Sequence, residues 1–294
     1  MEEDETKQLR YSVWPGQKVE VPPVWAYPVH RVGESFVYDS FETIVDHGCW
    51  RGRKLGHSVQ VPDELYLREV MALDLTDEDA LFKFVEDYGP LGYEPEKSCL
   101  PYLIPEHILE KLKIGLHYDT EADVLYQPLV SVQAHLRSIR DAVRLYKVQT
   151  AQMTLEELDD VWELEEMGVA CPTDDPAVDR TLAVIVNQGL MPFQVGIRLV
   201  GIDAEAYQLG LTAPDIYSCL CLQLFNHIAE EAIYLTCHNE RCGRLFVRQQ
   251  GRSEKGGHRT TGVMYCSDYC ARAQGQRELR KRKAAASGGR GASK

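Results

Sequence analysis

At 294 residues, with 44% hydrophobic and 26% charged side chains, the chain has the composition of a globular protein with room for about two domains. No apolar run approaches the length of a bilayer span, and Met1-Glu-Glu-Asp-Glu5 is acidic where a secretory leader is basic and then apolar, so the membrane class is set aside and a cytoplasmic protein is expected. The formal net charge of −13 is unevenly divided: residues 237–294 hold 14 Lys or Arg against 4 Asp or Glu, a formal +10, which leaves 18 against 41, a formal −23, for residues 1–236.

Residues 1–10 are charged and expected to be disordered. Trp14-Pro15-Gly16 and Val21-Pro-Pro-Val-Trp-Ala-Tyr-Pro28 cannot be helical, and the spacing of Trp14, Trp25 and Tyr27 reads as an extended strap packed on a core rather than a proline-rich recognition ligand. Phe36 to Val45 and Leu65 to Leu75 are short apolar stretches, the second read as a strand. Thr76 is placed as the cap of a helix in which Leu81, Phe84, Val85 and Tyr88 recur at helical spacing and Gly89-Pro90 stops the chain. A longer helix starts near Pro128 and stacks Leu129, Val132, Leu136, Ile139, Val143 and Tyr146 along one seam. Thr154-Leu-Glu-Glu157 has the form of a capping box, opening a helix with Leu158, Val161 and Trp162 inward and Gly168 beyond its end.

Asp175-Pro176 opens a further helix through Leu182, Ile185 and Val186, and Val195 to Val200 alternates as an extended segment. Pro214 then starts an apolar helix through Ile216, Leu220, Leu224, Phe225, Ile228 and Ala232 that is expected to end close to Cys237 and to dock the C-terminal segment on the body. The predicted fold class is mainly α (α+β): a helical body over residues 1–236, a small module over 237–283 and a disordered tail over 284–294.

The module is built on Cys237-His-Asn-Glu-Arg-Cys242 and, after 23 residues, Cys266-Ser-Asp-Tyr-Cys270. Two close thiol pairs at that distance are the layout of a tetrahedral four-cysteine zinc site, and a segment this small and polar cannot bury enough core to fold without a metal. One structural Zn2+ is therefore expected on Cys237, Cys242, Cys266 and Cys270. Gly243 permits a tight turn beneath the metal, Arg244-Leu-Phe-Val-Arg248 has strand propensity, and Gly262-Val-Met-Tyr265 is read as its pairing partner across a polar tip from Gln249 to Thr261. Ser267 or Asp268 caps a helix that carries Cys270 on its first turn and continues to Lys283. Knuckle, hairpin and ligand-bearing helix together describe a treble-clef-like finger. The other cysteines, Cys49, Cys99, Cys171, Cys219 and Cys221, read as reduced core thiols.

At these residues the chain resembles the CGNR-type zinc finger of actinobacterial proteins described as transcription regulators, with Cys270-Ala-Arg-Ala273 standing where that family has Cys-Gly-Asn-Arg. The resemblance covers about the last fifth of the chain and implies the same four ligands, below a helical N-terminal domain.

Catalytic constellations find little support. His227-Ile-Ala-Glu230-Glu231 lacks the second histidine of a zinc-protease motif, and Asp46, His47, Cys49 and His57 have no recognised ligand spacing. Glu156, Glu157, Asp159, Asp160, Glu163, Glu165 and Glu166 fit a solvated helix face. No phosphate-binding, dinucleotide or hydrolase motif occurs, so an enzyme is not expected.

The basic residues of the module, Arg244, Arg248, Arg252, Lys255, Arg259, Arg272, Arg277, Arg280, Lys281, Arg282 and Lys283, point to a polyanion, and DNA is the expected partner. The function expected is DNA binding in transcription regulation, with the body supplying effector sensing or homo-oligomerisation. A finger that binds an acidic protein, and an enzyme whose site lies in the body without a motif, are the alternatives.

Overall fold

The computed structural model describes residues 21–38, 43–46, 49–52, 57–92, 104, 107–108, 117–119, 124–193, 196–200, 206–210, 215–248 and 263–288. Residues 14–16 of the strap, Cys99 and the tip from Gln249 to Thr261 therefore lie outside the described residues. The chain divides into two compact units, Met1–Glu230 and Glu231–Lys294. Helix outweighs strand among the described residues.

The first unit begins with short antiparallel strands. β1 (Val24–Ala26), β2 (Val29–Val32) and β3 (Ser35–Tyr38) are followed by β4 (Thr43–Asp46), β5 (Cys49–Gly52) and β6 (His57–Val59). The expected strap is extended, and β1 pairs with β6. Next come helix α1 (Leu65–Arg68), a turn of 3-10 helix over Val70–Ala72, and α2 (Glu78–Tyr88).

The stretch Leu65 to Leu75 is thus not a strand. Leu65, Tyr66, Leu67 and Val70 are all buried, and an apolar run this short has no period by which strand and helix can be told apart. The cap of α2 also differs by one residue: the Asp77 carboxylate accepts from the Asp79 and Ala80 amides, whereas Thr76 donates to Asp74. Leu81, Phe84, Val85 and Tyr88 form its buried face as expected, and Gly89, at φ 86, ends it.

Strands β7 (His117–Asp119) and β8 (Val124–Pro128) complete a four-stranded sheet in the order β2-β3-β8-β7. Buried Gln127 ties it to the chain after α2, accepting from the Leu91 amide at 3.2 Å and from the Tyr38 hydroxyl at 3.2 Å while donating to the Leu91 carbonyl. From β8 the chain turns at Pro128 straight into α3 (Leu129–Gln149), the central helix, whose seam residues Val132, Leu136, Ile139, Val143 and Tyr146 are buried.

The Thr154 capping box is present, but its helix α4 (Leu155–Asp159) lasts little more than one turn. A 3-10 turn over Leu164–Met167 ends at Gly168, at φ 76. Trp162 is inward and donates to the Val169 carbonyl at 2.8 Å, whereas Val161 is exposed. The break has a cause: fully buried Asp141 of α3 accepts from the Glu163 and Leu164 amides, holding them out of a continuous helix. Glu163 bridges Arg140 at 3.2 Å and Arg144 at 2.7 Å, and Glu166 meets Arg137 at 2.6 Å. Glu163 therefore belongs to a half-buried ion-pair network, which corrects its reading as part of a solvated face, whereas Glu166 stays exposed.

Helix α5 (Asp175–Gly189), capped by Asp174, is followed by the hairpin β9 (Gly196–Val200) and β10 (Ala206–Gly210). Helix α6 (Ile216–Ala229), capped by Asp215, packs with α3 and α5 to form the core. It ends before Ala232 and does not reach Cys237, because Glu231 adopts φ 51 and the chain leaves as a strand. His227 is 2% exposed, with its Nδ1 bonded to the Tyr66 hydroxyl. Cys219 and Cys221 are buried as expected, while Cys171 is half-buried, its thiol pushed up to about 11 by burial and then by Asp159.

Helices α5 and α6 meet at Gly189, where a Cβ would overlap the Cys221 side chain and come within 3.2 Å of Tyr217. Gly189→Ala is accordingly expected to destabilise the body by about 1–3 kcal/mol through overpacking. A lowered urea midpoint with an unchanged slope would be the measurement that agrees.

Candidate metal centre

The second unit is built from β11 (Ile233–Thr236), β12 (Leu245–Arg248) and α7 (Asp268–Gly288). Strand β12 pairs antiparallel with β11, not with residues 263–265 of the expected partner, in the register Thr236↔Leu245 to Ile233↔Arg248. The first thiol pair thereby sits in the turn of a hairpin that starts four residues before Cys237. The Cys237 amide prolongs the ladder by donating to the Arg244 carbonyl at 2.9 Å. Within the turn the Asn239 carbonyl accepts from the Cys242 amide at 2.7 Å and from Gly243 at 3.2 Å, and Gly243 takes φ 56, the left-handed conformation that glycine adopts without a Cβ clash. Residues 263–265 still come close, since the His238 amide donates to the Met264 carbonyl at 2.8 Å.

The second thiol pair opens α7. Ser267 caps it, its hydroxyl accepting from the Cys270 amide at 3.2 Å, and the Cys266 amide points at the Cys237 sulfur at 3.5 Å. All four Sγ atoms lie within 4.8 Å of one another, with Cys242–Cys266 at 3.6 Å and Cys266–Cys270 at 3.5 Å. Four thiolates at about 2.3 Å from a tetrahedral ion stand roughly 3.8 Å apart, so the residues fit a single metal ion. Phe246, Cys237 and Cys270 form the small buried cluster beneath it, with Leu235 and Tyr265 against them.

The thiols are electrostatically unequal. Burial, followed by hydrogen bonding with Cys270, Cys242 and Cys237, pushes Cys266 well above the usual thiol range. Burial also acts to raise Cys270, but hydrogen bonds with Ser267, Cys266, Asn239 and Cys242 outweigh it and bring that thiol down to about 7. A cation at the centre would favour the ionised form of all four.

Helix α7 has two sides. Its inner side is bonded to the knuckle: Asn239, 4% exposed, donates to the Cys270 carbonyl at 3.4 Å and accepts from Arg277 at 2.7 Å, and Arg277 also donates to Gln274 at 2.9 Å. Lys281 pairs with Glu240 at 2.8 Å, and this contact, then Gln274, holds the Glu240 carboxyl below its usual range. Arg277 and Lys281, both candidate contacts to nucleic acid, are thus engaged within the unit. Asn239 and Glu240 were not singled out in the sequence, where nothing but their place between two ligands marks them.

The outer side is exposed and carries Arg272, Arg280, Arg282 and Lys283, with Tyr269 at 79% and Leu279 at 53% exposure. Only Arg282 among these four has an ion-pair partner among the described residues, Glu278 at 3.9 Å. Arg244 is exposed on the knuckle. Arg252, Lys255 and Arg259 lie outside the described residues, as does the side chain of Arg248. The helix runs on through residues 284–288, where a disordered tail was expected.

Among the described residues the four cysteines form the one cluster suited to a metal, and the acidic run assembles no second one, whereas His47 and the side chains of Asp46 and Cys49 lie outside the described residues. Searches against protein-family models, curated proteins and solved structures find no match to this chain. No helix among the described residues is long and apolar enough to cross a membrane.

Proposed function

We propose that the second unit is a treble-clef-like finger holding one structural Zn2+ on Cys237, Cys242, Cys266 and Cys270, and that it binds DNA as part of a cytoplasmic transcription regulator. An all-thiolate tetrahedral set suits zinc among the common divalent ions. The knuckle followed by a ligand-bearing helix is the arrangement that the resemblance to CGNR-type fingers implies.

The observation that carries the DNA reading is the division of α7. Arg277 and the exposed Lys281 pair with Asn239 and Glu240 within the unit, while Arg272, Arg280, Arg282 and Lys283 project from the side away from the knuckle, Arg282 beside Glu278. Cations held outward on a rigid element, in a segment with a formal +10, attract phosphate at long range and contact it at short range. Residues 1–236, formally −23, are the part of the chain assigned to effector sensing or self-association.

Changing Arg280, Arg282 and Lys283 together to Ala is expected to flatten the slope of log affinity against log salt by roughly 2–3 units on duplex DNA. Fluorescence anisotropy of the full-length protein over a range of salt measures it. An unchanged slope removes α7 from the phosphate contact, and absence of binding to any duplex at low salt removes DNA.

A further inference from the structure

The exposed side of α7 has finer structure than its charge. At 100° per residue, Arg272, Gln276 and Leu279 fall on a single stripe at spacings of four and three, with Lys283 continuing it, directly opposite Cys270, Gln274, Arg277 and Lys281. Arg280 lies to one side of the stripe and Arg282 to the other. Every one of these outer residues is exposed.

Gly275 adds a second, independent observation. It stands inside a 21-residue helix, where glycine is a poor helix former, and a Cβ placed there would meet nothing within 4 Å. Nothing among the described residues therefore requires its small size. Gly275 lies beside the stripe on the Arg282 flank, where a body approaching the helix from outside would meet the backbone.

Resting on the DNA reading above, we propose that α7 lies in the major groove of B-form DNA, with Arg272, Gln276 and Leu279 as the residues that determine sequence. An α-helix about 10–12 Å across fits a major groove about 12 Å wide. Side chains at the centre of the stripe then face base edges, and cations on both flanks face the two phosphate walls. Each central residue has a matching base chemistry: Arg272 donates in pairs to guanine, Gln276 pairs with adenine, and Leu279 packs on a thymine methyl. Gly275 lets the helix sink toward one wall. The deep, narrow major groove of duplex RNA does not admit a helix, so the surface fits DNA.

The test uses the full-length, metal-loaded protein and a random DNA duplex pool, from which the enriched duplex is carried forward beside an unrelated one. Arg272→Ala and Gln276→Ala are expected to weaken binding to the enriched duplex by about 5- to 100-fold and to change the unrelated duplex little. Arg280→Ala and Arg282→Ala should weaken both duplexes by similar factors. Gly275→Ala should raise the melting temperature of the module yet lower duplex affinity, and Gly275→Leu should lower it further. Metal content and helical circular dichroism equal to wild type show that each variant is folded.

Salt-dependent binding with no enriched sequence, or equal losses on both duplexes for Arg272→Ala and Gln276→Ala, overturns the groove assignment and leaves the DNA reading standing. Tighter binding to an RNA duplex of the enriched sequence also overturns it. Failure of the wild type to bind any duplex overturns both.

Discussion

Cys266→Ser is expected to unfold the second unit and leave the first intact. Among the described residues of the unit, Phe246, Cys237 and Cys270 form the one buried cluster, and Ala232, Tyr234 and Val247 are the other buried apolar side chains, far short of what a domain needs to hold itself together by burial. On the proposed metal reading its order comes from the ion, whose binding to such sites is worth on the order of 10 kcal/mol or more and is realised only on folding. Cys266 is central to the geometry, with its sulfur within 3.6 Å of Cys242 and 3.5 Å of Cys270 and its amide directed at Cys237. Serine offers a poor ligand for a thiophilic ion and removes both short contacts. Elemental analysis should show metal content falling from one ion per chain to near zero. Limited proteolysis should then cut residues 237–288 rapidly while a fragment close to residues 1–230 persists. A variant that keeps its metal and resists proteolysis would place the stability of this unit elsewhere.

Asp141→Ala is expected to be the most damaging single change in the body. The Asp141 side chain is fully buried, binds Arg144 at 2.6 Å and satisfies the Glu163 and Leu164 amides at 3.0 and 2.9 Å. Removing it strands two buried donors and leaves Arg144, with its side chain 14% exposed, paired to Glu163 alone. Breaking one side of such a network costs about 3–5 kcal/mol. Burial pushes the Asp141 carboxyl up to about 6, against the pull of Arg144 and the Leu164 amide. An unfolded Asp titrates near 3.9, so between these values the folded state binds more protons than the unfolded one. The stabilisation linked to this proton is complete below about pH 4, falls as pH rises toward 6 and is level above. The stability gap between wild type and Asp141→Asn, which cannot titrate, should therefore narrow from pH 4 to 6 in urea titrations. A gap that widens over that window would mean that folding favours the ionised carboxylate.

Residue spacing carried much of this structure. The seam from Val132 to Tyr146 predicts α3 because about four turns of one helix repeat the same signal, and the Thr154 box predicts the start of α4 because both capping bonds are local. The four ligands were legible for a similar reason, since each pair lies within one turn of chain. What failed depended on partners distant in sequence. The length of α4 is decided by Asp141, over twenty residues upstream, and nothing in Glu163 or Leu164 announces it. Strand β11 was absorbed into the apolar run of α6 because only the left-handed turn at Glu231 separates them. The charge pattern of α7 is diffuse on a helical wheel and resolves only once Asn239 and Glu240 claim Arg277 and Lys281. Formal charge counts cannot separate spent cations from available ones.

The first unit is sewn together by bonds of very long span. Cys219 reaches the Pro22 carbonyl across 197 residues, Gln223 reaches Pro62 across 161, and Tyr66 meets His227 across the same interval. On a ribosome adding about 5–20 residues per second, Leu65, Tyr66 and Leu67 would wait roughly 10–30 s for α6 to emerge. Their apolar surface stays open for that time, because the helix that covers it is the last element of the unit to be made. The body therefore closes only when nearly four-fifths of the chain has been synthesised, and the cysteine module, next off the ribosome, folds on a local timetable of its own as soon as metal is at hand. A nascent chain stalled before residue 216 should bind chaperones, and one released after residue 230 should not.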